Sequence, residues 1–434
     1  MNIRTVTIIG ATGSMGSNVA GIFASFGDAR VFCTARDIEK VKSIIPKIIK
    51  SVKADVIADN LIPADFQMLE ECVRQSDLVF ESCAEDISLK NEIAERVGAV
   101  LPENAVSCTG TSGLSVTEIA KNYPENARKR FFGVHLFNPP YSMSLCELIS
   151  TEYSDCCIKN ELKEYLGTVL LRTVVEVKDS PAFLANKIGF QFINEAMIYA
   201  EKFRDNGGVD YIDAILGPFT GRAMAPLVTS DFVGLDVHKA IVDNLFKNTS
   251  DYSNSSFVLP EYVCNLIANH KLGRKTGGGF YRLSSDKEGR KIQTVYDINT
   301  GLYRETFPYV FPFSDKMKSY IYEGDYSGAF EELINNKSQE AEICLEFLLK
   351  YIVYSLYCAE QSAYSADAAD DVMAHGFNWC PPIALLKALS EVADVVSLIK
   401  DRLPSICAQI DVPGLLGRVK PSKYDYRRFF RSGR

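Results

Sequence analysis

The chain has 434 residues, a formal net charge of -8, 47% hydrophobic residues and 24% charged residues. That length exceeds one ordinary hydrophobic core and predicts two or three domains; the composition argues against a disordered or fibrous chain. The acidic balance argues against a broad nucleic-acid surface, and the locally basic stretch from Lys420 to Arg434, with Tyr424, Tyr426, Phe429 and Phe430 interleaved, is read as a packed or solvated terminus.

In chain order, a β-like run at Thr5–Ile9 begins almost at once, with no charged segment leading into an apolar one, so no secretion signal is expected. The 12 cysteines show no CxxC or Cys/His zinc spacing, so no metal site is expected and reduced thiols in a cytoplasmic protein are the simplest account. Short β-branched runs at Val6–Ile9, Ala29–Thr34, Leu78–Glu81, Ala105–Thr109, Phe132–His135 and Thr173–Val177 alternate with amphipathic stretches, which predicts a mostly parallel sheet with crossover helices. Ser180-Pro181 ends that pattern. Apolar residues then recur at helical spacing, as at Ile188, Phe192, Ile193 and Met197, up to the glycines Gly277, Gly278 and Gly279.

The fold class expected is therefore an α/β N-terminal domain over 1–180 followed by all-α C-terminal domains: a helical domain over 181–283, a connector over 284–338 with some structure of its own, including a strand-like piece around Ile292–Tyr296 and a turn at Asn299–Gly301, and a second helical unit over 339–434. The stretch Ile343–Tyr357, interrupted by Glu346 and Lys350, is too short to span a membrane and is expected as a buried helix. Gly376-Phe377 with Pro381-Pro382 echoes Gly217-Pro218-Phe219, which leaves a diverged repeat or unrelated helices open.

Directly after the first strand comes Gly10-Ala11-Thr12-Gly13-Ser14-Met15-Gly16, opening a helix through Val19, Ile22 and Phe23. Glycines there allow a tight turn and the approach of a pyrophosphate to a helix N-terminus, the mark of a Rossmann-like dinucleotide site. The spacing is GxxGxxG, one residue longer than the common GxGxxG. At the end of the second strand the run Cys33-Thr34-Ala35-Arg36-Asp37 lacks an acid in the usual ribose-binding place. Arg36 could meet a 2′-phosphate, and Asp37 could do the acid's work; both NAD and NADP remain open, with NADP placed first on account of Arg36.

The segment Phe131–Pro140, with His135, Asn138 and Pro139, followed by Leu145-Cys146-Glu147, resembles the 3-hydroxyacyl-CoA dehydrogenase signature. The resemblance implies His135 as general base and Glu147 as its carboxylate partner, an assignment that suits an imidazole titrating near neutrality. His238, His270 and His375 are read as structural. Further segments keep the family's order. Glu85 and Lys90, in Glu81–Lys90, take the places of residues near the cofactor; Ser112 matches a serine touching substrate and cofactor, whereas Gly110 replaces the usual asparagine. Asn186 matches the asparagine facing the substrate carbonyl, with a helix cap as its alternative, and Lys275 matches a lysine near the cofactor, with a solvated cation as its alternative.

The resemblance runs from about residue 5 to 283, and the remainder is similar to the longer bacterial members involved in fatty-acid oxidation, without an enoyl-CoA hydratase region. It implies an oxidoreductase interconverting (S)-3-hydroxyacyl-CoA and 3-oxoacyl-CoA. The alternatives are a same-scaffold dehydrogenase of carnitine or a sugar acid, and a non-catalytic dinucleotide-binding protein. An acyl-CoA is the expected small-molecule partner, no membrane span is expected, and the chain is either a monomer with an internal pseudo-repeat or a homodimer.

Overall fold

The computed structural model describes residues 1–285 and 291–431, so the end of the basic tail, 432–434, and part of the connector, 286–290, lie outside the described residues. The chain divides into two compact units. The first comprises 1–183 with 362–364, the second 184–361 with 365–434.

The first unit is built on eight strands: β1 (Thr5–Ile9), β2 (Arg30–Ala35), β3 (Leu61–Asp65), β4 (Leu78–Glu81), β5 (Val106–Thr109), β6 (Phe131–Leu136), β7 (Leu145–Ile149) and β8 (Thr173–Val177). Their order is β3-β2-β1-β4-β5-β6-β7-β8. Neighbours from β3 to β6 run parallel, β7 runs antiparallel to β6, and β8 runs parallel to β7. Two of these strands were not expected from the sequence. β3 carries Pro63, which a strand tolerates at a sheet edge, where one side needs no ladder donor; β7 is too close behind β6 to read as a separate element. Four helices shape the site: α1 (Ser14–Ser25), α2 (Ile38–Val52), α3 (Ile87–Gly98) and α4 (Val116–Ala120). α1 buries Val19, Ala20, Ile22 and Phe23 against Val6, Ile8, Val31 and Cys33 of the sheet, so its apolar stripe fixes its N-terminus over the end of β1.

The second unit is not purely helical. In the connector the strand-like piece expected at Ile292–Tyr296 is a strand, Lys291–Tyr296, and it pairs with Tyr281–Ser285 and Tyr303–Glu305 in a three-stranded antiparallel sheet that the sequence did not show, followed by helices Pro312–Glu323 and Tyr326–Asn335. This whole stretch belongs to the same compact unit as the helices before and after it. Its main helices are α5 (Ala185–Lys202), α6 (Val209–Ile215), α7 (Pro226–Val233), α8 (Gln339–Ser362), α9 (Asp367–Gly376) and α10 (Pro382–Ser390). α8 contains the apolar Ile343–Tyr357 stretch in the core, and no helix among the described residues is long and apolar enough to cross a membrane.

Within this unit the early and late helices meet around one buried cation. Arg222 is 1% exposed, and its guanidinium lies 3.9 Å from the ring centre of Phe192, 4.9 Å from Trp379 and 5.2 Å from Tyr351. An antiparallel bridge joins Arg222 to Trp379. The two halves also share a device. Asp213 on α6 accepts the Leu227 and Val228 amides at the start of α7, and Asp370 on α9 accepts the Ile383 amide at the start of α10. α7 and α10 both begin with proline, whose missing N–H costs nothing at that position.

Burial pushes both carboxyls up, Asp213 and Asp370 each to about 7. An acid whose folded pKa stands above its unfolded value holds extra protons in the folded state, so its contribution to stability is full at low pH and is lost as pH rises toward the folded value. In urea titrations, wild type should therefore lose stability relative to the Asp213→Asn/Asp370→Asn double variant as pH rises from about 4 to about 7. A difference independent of pH would show that the two carboxyls titrate alike in the folded and unfolded chain.

Candidate active site

The loop between β1 and α1 fits a dinucleotide pyrophosphate. Gly10 has φ +86°, and a Cβ there would collide with the Ser82 carbonyl; a Cβ on Gly16 would collide with the Gly10 carbonyl. The Gly10 and Ala11 amides are held by the Thr34 carbonyl, which ties the loop to the end of β2. Thr12, Gly13 and Ser14 are exposed and Met15 is half-buried at the N-terminus of α1, a helix with no acidic residue in its first turn. The extra residue in the glycine spacing is absorbed without loss of the cradle, and the helix N-terminus presents its N–H groups to an anion. The position also lies where the sheet branches from β1 to β2 on one side and β4 on the other, the usual place for ligands in open α/β sheets.

Arg36 is exposed just past β2. Asp37 caps α2, its carboxylate accepting the Glu39 and Lys40 amides at 3.0 and 3.2 Å, so part of its hydrogen-bonding capacity is already used within the fold.

The catalytic candidates are set by the β6–β7 pair. In its antiparallel register His135 stands directly opposite Glu147, and opposite residues share a face of the sheet. Nδ1 of His135 lies 2.7 Å from Oε2 of Glu147, with the imidazole 4% and the carboxylate residue 0% exposed. A carboxylate on Nδ1 fixes the tautomer and leaves Nε2 as the atom for proton exchange. Asn138 follows β6 at the surface.

Glu85 and Lys90 come together with Glu81, the last residue of β4. The Lys90 ammonium, 2% exposed, sits 2.9 and 3.0 Å from the two oxygens of Glu81 and 3.5 Å from Glu85. Glu81 also accepts the Thr109 hydroxyl at 2.6 Å. Glu85 accepts the Thr111 hydroxyl and the Ser112 amide, the latter at 2.7 Å, and so fixes the Ser112 loop after β5. The signal for Glu81 was its place as the last residue of a buried strand, where a charge requires a partner. Gly110 also has a physical reason. A Cβ there would lie 2.9 Å from the Phe80 ring, so the phenyl group occupies the space an asparagine side chain would need. Burial raises the nearby Cys83 thiol to about 12, which keeps it protonated and unreactive at neutral pH.

Asn186 and Lys275 belong to the second unit. Asn186 is buried in the first turn of α5 and is not its cap, which is Leu184. Lys275 is half-exposed and ion-paired with Asp236. His238 is buried, its Nε2 2.9 Å from Asn194 Oδ1, and burial lowers it to about 3; His375 bonds the Tyr424 hydroxyl at 2.9 Å.

Residues 5–180 match the model of the 3-hydroxyacyl-CoA dehydrogenase NAD binding domain, and residues 183–283 match that of the 3-hydroxyacyl-CoA dehydrogenase C-terminal domain. The mitochondrial hydroxyacyl-coenzyme A dehydrogenase of Rattus norvegicus is 31% identical over 295 residues, which are 64% of this chain and 91% of that protein. The chain belongs to the 3-hydroxyacyl-CoA dehydrogenase family. A Rickettsia felis protein named as a fatty acid oxidation complex trifunctional enzyme is 28% identical over 444 residues; the match takes in 98% of this dehydrogenase and 58% of that protein's length. A 3-hydroxybutyryl-CoA dehydrogenase of Escherichia coli shares the fold, with a TM-score of 0.66 at 19% identity over 90% of this chain and 95% of that one. The matched N-terminal domain is an NAD binding domain, and the NADP preference expected from Arg36 finds no support in it.

The cradle yields a direct test. Gly16→Ala should weaken NADH binding at least about tenfold, by pushing the N-terminus of α1 off the loop, while circular dichroism stays that of wild type. Unchanged affinity in fluorescence titration would remove the pyrophosphate from this loop.

Proposed function

We propose that this dehydrogenase interconverts (S)-3-hydroxyacyl-CoA and 3-oxoacyl-CoA with NAD(H), using His135 as general base and acid. The observation that carries this reading is the buried 2.7 Å pair of His135 and Glu147. In the oxidising direction Nε2 of His135 takes the proton of the 3-hydroxyl, and Glu147 stabilises the imidazolium that results. The bound nicotinamide supplies the hydride acceptor, or the donor in reduction. Gly10, Thr12, Gly13, Ser14, Met15 and Gly16 would hold its pyrophosphate, with Glu85, Lys90, Asn138 and Lys275 assigned toward the rest of the dinucleotide. Ser112 orients the substrate hydroxyl, and Asn186 donates to the thioester oxygen. In reduction His135 returns its proton to the new alkoxide. The family match favours this chemistry over a carnitine or sugar-acid dehydrogenase and over a non-catalytic dinucleotide-binding protein.

We further infer that α8–α10 repeat α5–α7 in diverged form. The paired aspartates Asp213 and Asp370, the prolines opening α7 and α10, and the Arg222–Trp379 bridge support it. The second set covers, within one chain, the apolar face that the first set would otherwise offer to another subunit. Light scattering on the purified protein should therefore give the mass of a monomer, 48.2 kDa, and a dimer mass would remove this reading. Twelve cysteines as free thiols support a reducing cytoplasmic setting.

Acetoacetyl-CoA should be reduced with loss of NADH absorbance, and NADPH serves as the parallel arm for Arg36. His135→Gln should lose nearly all turnover, and Glu147→Gln about 100-fold or more, with NADH affinity retained in both. Full activity in His135→Gln would sink the assignment.

A further inference from the structure

Residues 179–183, in the first unit, form a short stretch with two firm attachments. Asp179 follows β8 by two residues, and its carboxylate accepts three hydrogen bonds from the start of α4: the Ser115 hydroxyl at 2.9 Å, the Val116 amide at 3.0 Å and the Thr117 amide at 2.8 Å. These donors stand only three to five residues beyond Ser112. The near end of the same loop is gripped by Glu85 through Thr111 and Ser112. Ser112 therefore lies between two carboxylate anchors, and a carboxylate accepting several N–H and O–H groups is a strong and directional one.

At the other end of the stretch, Ala182 and Phe183 both have φ +56°. Consecutive residues with a Cβ in the left-handed region carry strain and persist only where the surroundings hold them. The Phe183 amide closes a turn on the Ser180 carbonyl at 2.9 Å, and the side chain is fully buried. Its ring centre is 5.5 Å from that of His135, while Phe137 contacts the same imidazole edge-on at 4.5 Å. Two aromatic rings thus pack beside the imidazole that Glu147 holds.

We propose that Asp179–Phe183 is a positioning segment for the proton-transfer site: Asp179 fixes the loop that carries Ser112, Phe183 fixes the ring of His135, and one strained turn sets the distance between them. The proposal rests on the reading of His135 as base and Ser112 as substrate contact. Asp179 and Phe183 act through those two residues and are positioning residues.

The test uses Asp179→Asn and Phe183→Leu in the full chain. Three quantities are compared with wild type: kcat with acetoacetyl-CoA and NADH, the NADH dissociation constant, and the imidazole nitrogen resonances of His135 in 15N-histidine-labelled protein, assigned with His135→Gln. Each variant should lower kcat by about 10- to 100-fold while NADH affinity stays within about twofold, since small misplacements of reacting groups are costly in rate. Phe183→Leu should also displace the Nδ1 resonance that reports the bond to Glu147. If Asp179→Asn does not fold, Ser115→Ala removes one donor from the same anchor and should lower kcat by about three- to tenfold. A kcat within about twofold of wild type with unmoved His135 resonances, or a loss of NADH affinity as large as the loss of kcat, would overturn the proposal. If wild type itself leaves acetoacetyl-CoA unreduced, the dehydrogenase reading fails, and the His135 resonances in Phe183→Leu still decide the positioning role.

Discussion

The site depends on one reversal of strand direction. Every pairing from β3 to β6 is parallel, and the chain then turns back so that β7 runs against β6. Only this turn sets Glu147 across from His135. Because side chains alternate between faces, a slip of one residue in that pair would send the carboxylate to the other side of the sheet and leave the imidazole without its partner. Both residues are removed from water. Each therefore needs the other, because a buried polar group left without its hydrogen-bond partner typically costs about 1–3 kcal/mol.

A second buried set supports the same end of the sheet. Lys90 is neutralised by Glu81 and Glu85, and Glu85 passes that constraint to the Ser112 loop through Thr111. The charges of this set thus sit where a loop must be held still. Phe80 and Gly110 show the same economy in shape, since the phenyl ring of one fills the volume vacated by the other. A departure from the family pattern is in this way compensated locally, beside the site.

The second unit solves a different problem. Its long helices α5 and α8 are buried over most of their length, so each needs apolar surface on several sides. Arg222 is a buried cation within that core. Its guanidinium donates two hydrogen bonds to Thr220, one to the carbonyl and one to the hydroxyl oxygen, and otherwise rests on aromatic faces, and burial lowers it to about 10. Stacking on Phe192 and Trp379 links early and late helices around a cation that planar rings can accept.

By itself the sequence determined the alternation of strands and helices up to 178, the glycine turn before α1, the helical return near 340, and the pairing of His135 with Glu147 through family resemblance. These are legible because periodicity, glycine placement and motif order are local properties. The sequence missed β3 and β7, since a proline-bearing edge strand and a strand close behind its neighbour lack clear boundaries. Within 284–338 it marked the strand-like piece at Ile292–Tyr296 but not the strands that pair with it or the two helices that follow, because alternating and helical patterns there are short and mixed. Only the tertiary structure decided that Glu81 is the main partner of Lys90, that Phe80 explains Gly110, that Asp179 holds the start of α4, and that Phe183 packs beside His135. Those relations join residues far apart in the chain, and burial and hydrogen-bond satisfaction act on neighbours in space, which no spacing in the sequence records.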